Sequence, residues 1–429
     1  MPCGARTTRS CWSASPSSGR RSTPTGETRR SPGPPVPGRR GRSYGRGEPA
    51  HRGAGSRGGT VNVSSSVVAT AFVVASAVLA PPAVAAPPPA PPALACGASV
   101  EGTVVLDRDL VCTTTPGLVL TLGATLDLGG HVLRGPGEGT ALVVDAGAGT
   151  GPVSVVGGTV RGWAAGLQVH EAQATVRGVT FDGIAGSAVE GLHGAGVTLE
   201  SSTVRRSGAG VNAWFFSGVT ITGSRFLDNG TGVTAGSDSG LTVTGSVFEG
   251  NATAVLCDES YAEVRGTRLV RNTTAVHFDW CTSSRLHDSE LVRNGVALRT
   301  TYPSVHRDES EGNQVFRNRF DRNDVAVDLR LNAHLQDNRF TRNGVGVRAL
   351  TAGTLQEIGL IAMERNVLDR NGDAVVVDTK VRMRDNVATR STGWGIHAPR
   401  AVDLGGNVAW GNGREPQCTG VVCAGRPRS

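Results

Sequence analysis

A repeat of about 21 residues dominates the chain from Gly218 onward. Each unit follows the pattern (Ser/Asn)-x-(Phe/Leu)-x-x-Asn-x-x-(Ala/Gly)-(Val/Leu). The recurring Asn position is spaced by 22, 21, 22, 29, 20, 28, 20 and 21 residues. It is occupied by Asn229, Asn251, Asn272, Asn294, Asn323, Asn343, Asn371, Ser391 and Asn412. A weaker form continues backwards, so the sequence predicts at least eleven units, and about thirteen with the ends.

A unit of this size cannot bury an apolar face by itself, so the units have to stack. The alternation of apolar and polar residues, as in Val-Thr-Ile-Thr, indicates short β-strands separated by Gly and Asn turns. Leucine-rich, WD40 and helical repeats are excluded, because their motifs and periods differ from this one. We therefore predict an all-β fold, a parallel β-helix of about 11–13 coils, whose strands pair about 4.8 Å apart from coil to coil.

Two apolar positions of the unit are predicted to form inward stacks. One stack contains Phe226, Phe248, Leu269, Leu291, Phe320, Phe340 and Leu368, and the other contains Val233, Val255, Val276, Leu298, Val327, Val347 and Val375. The recurring Asn suits a left-handed turn, and its stacked side-chain amides can hydrogen-bond along the column. Asn229, Asn251 and Asn272 also lie in glycosylation sequons, but their place in the repeat argues against that role.

The net charge of +7 is unevenly distributed. Residues 1–60 contain 12 Arg and two acidic residues, which gives +10. The other 369 residues contain 31 basic and 34 acidic side chains, which gives −3. Because the basic excess belongs to a segment that cannot form a core, it does not indicate a nucleic-acid partner.

The chain divides into six predicted segments. Residues 1–60 are a disordered Arg-rich extension, translated from a start upstream of the true one. Residues 61–85 form a signal peptide, with an apolar stretch too short to span a membrane and a small-residue cleavage site. A Pro-rich spacer, an N-terminal cap, the β-helix and a C-terminal cap with its tail follow at residues 86–95, 96–118, 119–412 and 413–429. We expect a secreted protein without stable membrane insertion, associated with the cell surface or free.

Six cysteines lie downstream of the predicted signal peptide. An even number of cysteines in an exported chain predicts disulfides. The local pairing is one of 15 connectivities. It joins Cys96 to Cys112, Cys257 to Cys281, and Cys418 to Cys423.

The sequence resembles the right-handed parallel β-helix repeat proteins of the pectate-lyase-like superfamily, in particular secreted actinobacterial members. The likeness covers about residues 96–423. It rests on the Cys96…Cys112 hairpin, the Leu-Asp-Leu-Gly-Gly-His turn ending at His131, and the Gly411-Asn412-Gly413 ending with its two cysteines. The resemblance implies a right-handed solenoid. It does not imply one activity, since the superfamily includes lyases, hydrolases, epimerases, tailspikes, adhesins and copper-pathway proteins.

Side chains of a β-strand alternate between its two faces, so the residues that follow the Val of each unit are predicted to form two outward-facing columns beside the Val stack. The first column contains Asn212, Thr234, Leu256, His277, Arg299, Asp328, Arg348, Val376 and His397. The second contains Trp214, Gly236, Asp258, Asp279, Thr301, Arg330, Leu350 and Asp378. Two insertions, at about residues 300–312 and 349–359, follow this strand and are predicted to flank the charged columns.

Charged and aromatic residues therefore gather on the middle coils, a combination that suits a sugar chain. The predicted catalytic residues are Asp258, His277, Asp279, Arg299, Asp328 and Arg330. The predicted substrate-binding residues are Trp214, Glu259, Tyr261, Trp280, Tyr302 and Arg348. The alternative is that these are ordinary solvated strand and turn residues.

Two mechanisms are open for an enzyme. In β-elimination on a uronate, an Arg or a bound Ca²⁺ neutralises the substrate carboxylate and His277 or a basic side chain removes the adjacent proton. Asp258, Asp279 and Glu259 are the candidate calcium ligands, and no other cofactor is expected. In hydrolysis, Asp258 and Asp279 act as acid and as base or nucleophile.

We therefore expect a monomeric protein whose partner is extracellular polysaccharide or cell-wall glycan. It binds that polymer and, if an enzyme, cleaves or epimerises it. The alternative is a non-catalytic glycan-binding or adhesin-like protein. A role in metal-cofactor maturation is disfavoured, because the chain has no Met-, His- or Cys-rich surface.

Overall fold

The computed structural model describes residues 94–281, 283–301, 312–330, 332–350 and 361–425. These residues form three parallel sheets and no helix, since the chain passes through sheets A, B and C once in every coil. Sheet A contains β1 (Ser99–Val100), β4 (Leu118–Leu122), β7 (Thr140–Gly149), β10 (Ala165–His170), β13 (Ser187–Leu192), β16 (Ala209–Trp214), β19 (Thr231–Gly236), β22 (Thr253–Asp258), β25 (Thr274–Asp279), β28 (Val296–Thr301), β31 (Val325–Asp328), β34 (Val345–Ala349), β37 (Asp373–Val377), β40 (Ile396–His397) and β43 (Cys418–Thr419).

The other two sheets each contain fourteen strands in the described residues. Sheet B contains β2 (Thr103–Val105), β5 (Thr125–Asp127), β8 (Val153–Val156), β11 (Gln173–Arg177), β14 (Gly196–Glu200), β17 (Gly218–Thr222), β20 (Gly240–Thr244), β23 (Tyr261–Arg265), β26 (Arg285–His287), β29 (Asn313–Phe316), β32 (Ala333–Gln336), β35 (Ile361–Glu364), β38 (Val381–Arg384) and β41 (Ala401–Asp403). Sheet C contains β3 (Leu110–Val111), β6 (Val132–Arg134), β9 (Thr159–Arg161), β12 (Thr180–Asp182), β15 (Thr203–Arg205), β18 (Arg225–Leu227), β21 (Val247–Glu249), β24 (Arg268–Val270), β27 (Glu290–Val292), β30 (Arg319–Asp321), β33 (Arg339–Thr341), β36 (Val367–Asp369), β39 (Val387–Thr389) and β42 (Val408–Trp410).

The predicted right-handed parallel β-helix is confirmed, with about fourteen coils. The segment assigned to the N-terminal cap contributes β1, β2 and β3, so the coils start before residue 119. The Arg-rich extension, the signal peptide and most of the spacer lie outside the described residues. Within the described part of the chain, no helix is long and apolar enough to cross a membrane.

The two predicted apolar stacks form the core. The Phe and Leu stack is buried throughout, and its consecutive rings lie parallel. Phe226 and Phe248 have ring centroids 4.6 Å apart, and those of Phe320 and Phe340 are 4.8 Å apart. Each coil thus covers the apolar surface of the next.

The recurring Asn forms the predicted hydrogen-bonded ladder at the corner between sheets C and A. The side-chain oxygen of Asn294 accepts from the backbone N–H of Asn272 at 2.9 Å and from its side-chain amide at 3.1 Å. The same amide of Asn272 also donates to the carbonyl of Phe248. Asn229, Asn251 and Asn272 are all buried, so the Asn side chain of each sequon is part of the ladder.

A second polar ladder lies at the corner between sheets B and C. Most backbone N–H groups of this ladder donate to the side-chain oxygen of the equivalent residue in the next coil, as from Asn318 to Asn338 at 3.0 Å. Its members are Ser202, Ser224 and Ser246, followed by Thr267, Ser289, Asn318, Asn338, Asn366, Asn386 and Asn407. The corner between sheets A and B carries a shorter version, in which the backbone N–H of Ser217 donates to the Ser239 hydroxyl and that of Ser284 donates to the Asn313 side chain. Buried polar side chains therefore contribute to all three corners.

The local disulfide pairing is confirmed for all six cysteines. The Cα atoms are 5.6 Å apart in Cys96–Cys112, 6.1 Å in Cys257–Cys281 and 6.2 Å in Cys418–Cys423. The first and third pairs lie at the two ends of the solenoid, and the second joins two neighbouring coils beneath the charged columns. Three disulfides are typical of an extracellular or periplasmic protein.

The Asn ladder predicts a large effect of a single substitution. Asn272→Ala removes a buried side chain that both donates and accepts in the ladder, and it leaves the backbone N–H of Asn251 unpaired. We expect a loss of about 2–4 kcal/mol in the free energy of unfolding, measured by urea denaturation. The exposed neighbour Thr273 provides the control, because Thr273→Ala should change it by less than about 0.5 kcal/mol. Equal effects of the two substitutions would contradict a stabilising ladder.

Candidate functional site

The two predicted outward columns exist on sheet A. In the first, Leu256, His277, Arg299, Asp328 and Arg348 are register partners from coil to coil. In the second, Gly236, Asp258, Asp279 and Thr301 are register partners in the same way. The register of the sheet therefore brings an imidazole, carboxylates and guanidinium groups onto one face.

A hydrogen-bonded relay connects the two columns. The Thr301 hydroxyl donates to Oδ1 of Asp279 at 2.6 Å, and Nε2 of His277 lies 2.7 Å from the same hydroxyl oxygen. Because the single hydroxyl proton is used toward Asp279, Nε2 of His277 has to be the donor in the second bond. In the neutral ring this leaves Nδ1 as the basic nitrogen.

The environment moves the pKa values of two of these groups. Burial, and after it the charge of Asp279, raises the pKa of the Asp258 carboxyl, while His277 opposes part of that rise. Burial also lowers the pKa of His277 below its usual 6.5, although the charge of Asp279 opposes the shift. At neutral pH the site thus holds a neutral imidazole beside a carboxyl group that retains its proton more readily than usual.

Asp328 is held by an ion pair on the other side of Arg299. Arg348 donates to both Asp328 oxygens, from Nε at 3.0 Å and from Nη2 at 2.8 Å. Burial would raise the pKa of Asp328, but these hydrogen bonds and the nearby arginines lower it overall. Arg299 lies farther away, with Nε 3.9 Å from Asp328. Arg348 therefore orients Asp328, and the more loosely paired Arg299 is better suited to an external carboxylate.

Arg330 lies just beyond β31 at the edge of this group. Its backbone N–H donates to the Thr300 hydroxyl at 2.8 Å, and its side chain is exposed. Its charge contributes to the lowered pKa of Asp328. Arg330 thus adds positive charge at the rim of the columns.

Of the predicted aromatic residues, Trp214 lies next to the carboxylates. Its indole N–H donates to the Asn212 side chain at 2.7 Å. Its ring covers Gly236, where an added Cβ would come within 2.4 Å of the ring. Since Gly236 is the register partner of Asp258, the indole borders the acidic pair.

The remaining predicted binding residues are not all on this face. Glu259 and Trp280 lie in the turn after sheet A, both with left-handed backbone conformations. Tyr261 begins β23 in sheet B, beside a shallow depression along Gly218 and Gly240, and so belongs to the adjacent face. Tyr302 and both insertions lie outside the described residues, except at their edges.

Two features were not predicted from the sequence. Thr301 was assigned to a column but not to the site, although it links His277 to Asp279. The corner after sheet A also carries an aromatic row, in which the rings of His193 and Phe215 are 5.0 Å apart and those of His170 and His193 are 4.6 Å apart. The alignment of these turns from coil to coil is the signal that would have revealed the row.

Among the comparisons with known proteins, the match to a family model supports the fold. The model of the family described as right handed beta helix region matches residues 165–306, in agreement with the right-handed parallel β-helix fold of the chain. No curated protein matches it.

Three solved structures illustrate this likeness. A mutant of the periplasmic alginate epimerase AlgG is 14% identical, with 66% of this chain and 78% of that chain covered and a TM-score of 0.49. An alginate lyase from Paenibacillus sp. str. FPU-7 is 14% identical, with 65% and 94% covered and a TM-score of 0.24. PfbA, a surface adhesin of Streptococcus pneumoniae, is 12% identical, with 67% and 82% covered and a TM-score of 0.21.

The opposite pKa shifts of Asp258 and Asp328 predict opposite effects on stability. The raised pKa of Asp258 means that its ionisation costs folding free energy as pH rises through the folded pKa, so Asp258→Asn should raise Tm at pH 7 by about 1–2 °C. The lowered pKa of Asp328 means that its stabilisation is present at pH 7 and is lost as pH falls, so Asp328→Asn should cost about 2 kcal/mol there.

Calorimetry at pH 7 and pH 3 measures both effects. At pH 3 the gain from Asp258→Asn should vanish, because the native carboxyl is then protonated, and the loss from Asp328→Asn should shrink. A loss of stability at pH 7 from Asp258→Asn would contradict the interpretation that the ionised Asp258 carboxylate destabilises the folded state.

Proposed function

We propose that the sheet A face binds an acidic polysaccharide and removes a proton from a uronate residue, in an elimination or an epimerisation. The observation that carries this proposal is the relay through Thr301, which leaves a basic Nδ1 on His277, together with Arg299 in the next coil. A base beside a cation is what the abstraction of a proton next to a carboxylate requires.

The proposed reaction begins with the substrate carboxylate at Arg299. Its guanidinium offsets the negative charge that develops when the adjacent C–H bond breaks. Nδ1 of His277 accepts that proton, and the lowered pKa keeps the ring neutral and competent at pH 7. The resulting positive charge on the ring is stabilised by Asp279 through the Thr301 hydroxyl.

Asp258 would supply the second proton transfer. In elimination, the electron pair of the broken C–H bond forms a double bond, the glycosidic bond breaks, and the departing oxygen takes a proton from Asp258. In epimerisation, the carbon is instead reprotonated from the opposite face. The raised pKa of Asp258 supports its role as the acid in either case.

Trp214 is suited to hold a sugar ring beside the reacting residue. An indole presents a flat apolar face to the C–H groups of a pyranose, and here its position is set by Asn212 and Gly236. Arg330 would add attraction for a polyanion at the rim.

A hydrolase is the second candidate, and the Asp258–Asp279 register pair supports it. Carboxylates on neighbouring strands start from backbones about 4.8 Å apart, near the separation of about 5–5.5 Å in retaining glycosidases. In that reaction Asp258 is the acid and Asp279 the nucleophile. The location of the protein, secreted or attached to the cell surface, and its monomeric state are parts of the same proposal.

The activity assay includes calcium as a variable. Among the described residues, no group of three or more His, Cys, Asp or Glu side chains is arranged to hold a metal ion. The proposed steps are written with the side chains of the chain, and parallel assays with EDTA and with added calcium test whether calcium held by Asp258, Asp279 and Glu259 contributes.

The proposal predicts loss of the uronate proton next to the carboxylate. In D₂O, epimerisation of polygalacturonate or alginate should introduce deuterium at that carbon and invert the sugar, as measured by NMR. Elimination instead leaves an unsaturated sugar without deuterium there, and new reducing ends without an unsaturated product mark hydrolysis. His277→Ala should lower the rate of exchange or of unsaturated-product formation by about 100-fold or more, the usual contribution of a general base.

His334 provides the matched control. It is a partly buried histidine in β32 of sheet B, so His334→Ala should leave the exchange rate within about twofold. Retention of the polymers on the immobilised chain without exchange or cleavage would contradict the enzyme and identify a binding protein.

A further inference from the structure

A row of arginines runs along the corner between sheets C and A. Six consecutive coils carry Arg at the same place, immediately after the sheet C strand. They are Arg271, Arg293, Arg322, Arg342, Arg370 and Arg390, here called the arginine stripe. The corner backbone keeps them aligned, because each N–H donates to the next coil, as from Arg293 to the carbonyl of Asp321 at 3.0 Å.

The backbone at these positions does not favour arginine. All six have φ between 54° and 56°, the left-handed region that side chains with a Cβ rarely adopt. Gly250 and Gly411 occupy the same corner in other coils, with φ of 72° and 68°. Glycine would satisfy this turn at lower cost, so the turn itself does not account for the guanidinium groups.

Repulsion between neighbouring coils also disfavours the stripe. Like charges at equivalent positions of adjacent strands are destabilising. The corner between sheets B and C avoids this by alternating sign, since Arg317 pairs with Asp288 at 2.7 Å and Arg365 pairs with Asp337 at 2.8 Å. The arginine stripe contains no such alternation.

Acidic side chains on sheet C neutralise only part of this charge. Five of the six stripe arginines pair with three acids. Arg271 pairs with Glu249, Arg322 and Arg342 pair with Asp321 at 2.9 and 3.4 Å, and Arg370 and Arg390 pair with Asp369 at 3.6 and 2.7 Å. Beside the stripe, Arg268 and Arg319 share Glu290 at 2.8 and 2.6 Å. Within the described residues, Arg293 has no ion-pair partner. The acids therefore hold some of the arginines in place while the stripe keeps a positive excess.

Beside the stripe lies a furrow of about 260 Å³. Its floor contains Val270 and Val292, which are register partners on the outward side of sheet C. Arginines form both walls, and its five arginines and two acids give it a net charge of +3. The furrow lining consists of Arg268, Val270, Arg271, Glu290, Val292, Arg293, Arg319, Asp321 and Arg322.

We propose that the furrow and the arginine stripe bind one linear polyuronate chain that runs parallel to the solenoid axis. One guanidinium per coil, about every 4.8 Å, presents a cation to successive carboxylates. Val292 is partly exposed and offers an apolar contact to the sugar rings, while Val270 is buried. The stripe lies at the opposite end of the sheet A strands from Asp258 and Asp279, so it is a second site that does not depend on the proposed reaction.

Other polyanions fit this surface less well. The furrow lining contains no aromatic side chain, whereas proteins that bind single-stranded nucleic acid stack the bases on such side chains. It also presents no large exposed apolar side chain of the kind that enters a membrane. A carboxylated sugar chain uses both the charge and the floor.

Binding of the full chain to polygalacturonate, measured by calorimetry over a range of salt concentrations, tests the proposal. Replacing Arg271, Arg293 and Arg322 together by Gln should weaken binding roughly tenfold and flatten its salt dependence. The control replaces the exposed sheet B residues Arg265, Arg382 and Arg384 by Gln, removes the same charge, and should change the Kd by less than about twofold.

Both sets of variants are also made in a Trp214→Ala/Arg299→Gln background, which removes the proposed sheet A contacts. The loss of polygalacturonate affinity caused by the stripe variants should persist in this background. Binding at the stripe is therefore tested independently of the reaction proposed for sheet A. Circular dichroism verifies that the variants are folded. Unchanged binding by the stripe variant would overturn the proposal, as would equally tight binding of poly-L-glutamate or duplex DNA.

Discussion

Each coil of this protein obtains its missing hydrogen-bond partners from the next coil. The side-chain oxygen of a ladder Asn accepts the backbone N–H of the preceding coil, and its amide donates to another carbonyl, as Asn272 shows. A buried corner without these side chains would leave polar backbone groups unpaired, at a cost comparable to the net stability of a domain after a few coils. The parallel Phe rings can stack only because this polar register is kept.

The same constraint explains how a surface of specific chemistry arises. Once the corners hold equivalent residues in line, any outward position of the repeat becomes a column with one side chain per coil. His277 and Arg299 are adjacent for this reason, although 22 residues separate them in sequence. The Cys257–Cys281 disulfide joins the two coils beneath these columns and limits their relative movement. Function is thus set by which residues occupy successive units, while the repeat itself sets the geometry.

The periodicity was sufficient to predict the fold, the two apolar stacks and the outward columns, because each depends only on spacing. The sequence left the disulfide connectivity open among 15 pairings, and the structure shows the local one. The relay through Thr301 was beyond sequence reasoning, since it depends on side-chain orientation between two columns. The bidentate contact of Arg348 with Asp328 is of the same kind. Tyr261 was expected on the same face, but the turn after Asp258 is short and carries it onto sheet B.

The average charge of the sequence does not predict the charge of an individual surface in a solenoid, because stacking places equivalent positions of the repeat in one row. The residues beyond position 60 are slightly acidic overall, so the net charge did not indicate a nucleic-acid partner. In a stacked repeat, however, the charge at one position of the unit becomes a linear charge density along the axis. At the corner between sheets B and C the signs alternate and cancel within the chain. At the next corner all six positions carry arginine, in a conformation better suited to glycine, and only three acids on sheet C pair with them. The result is an extended positive edge that the average charge of the sequence does not reveal.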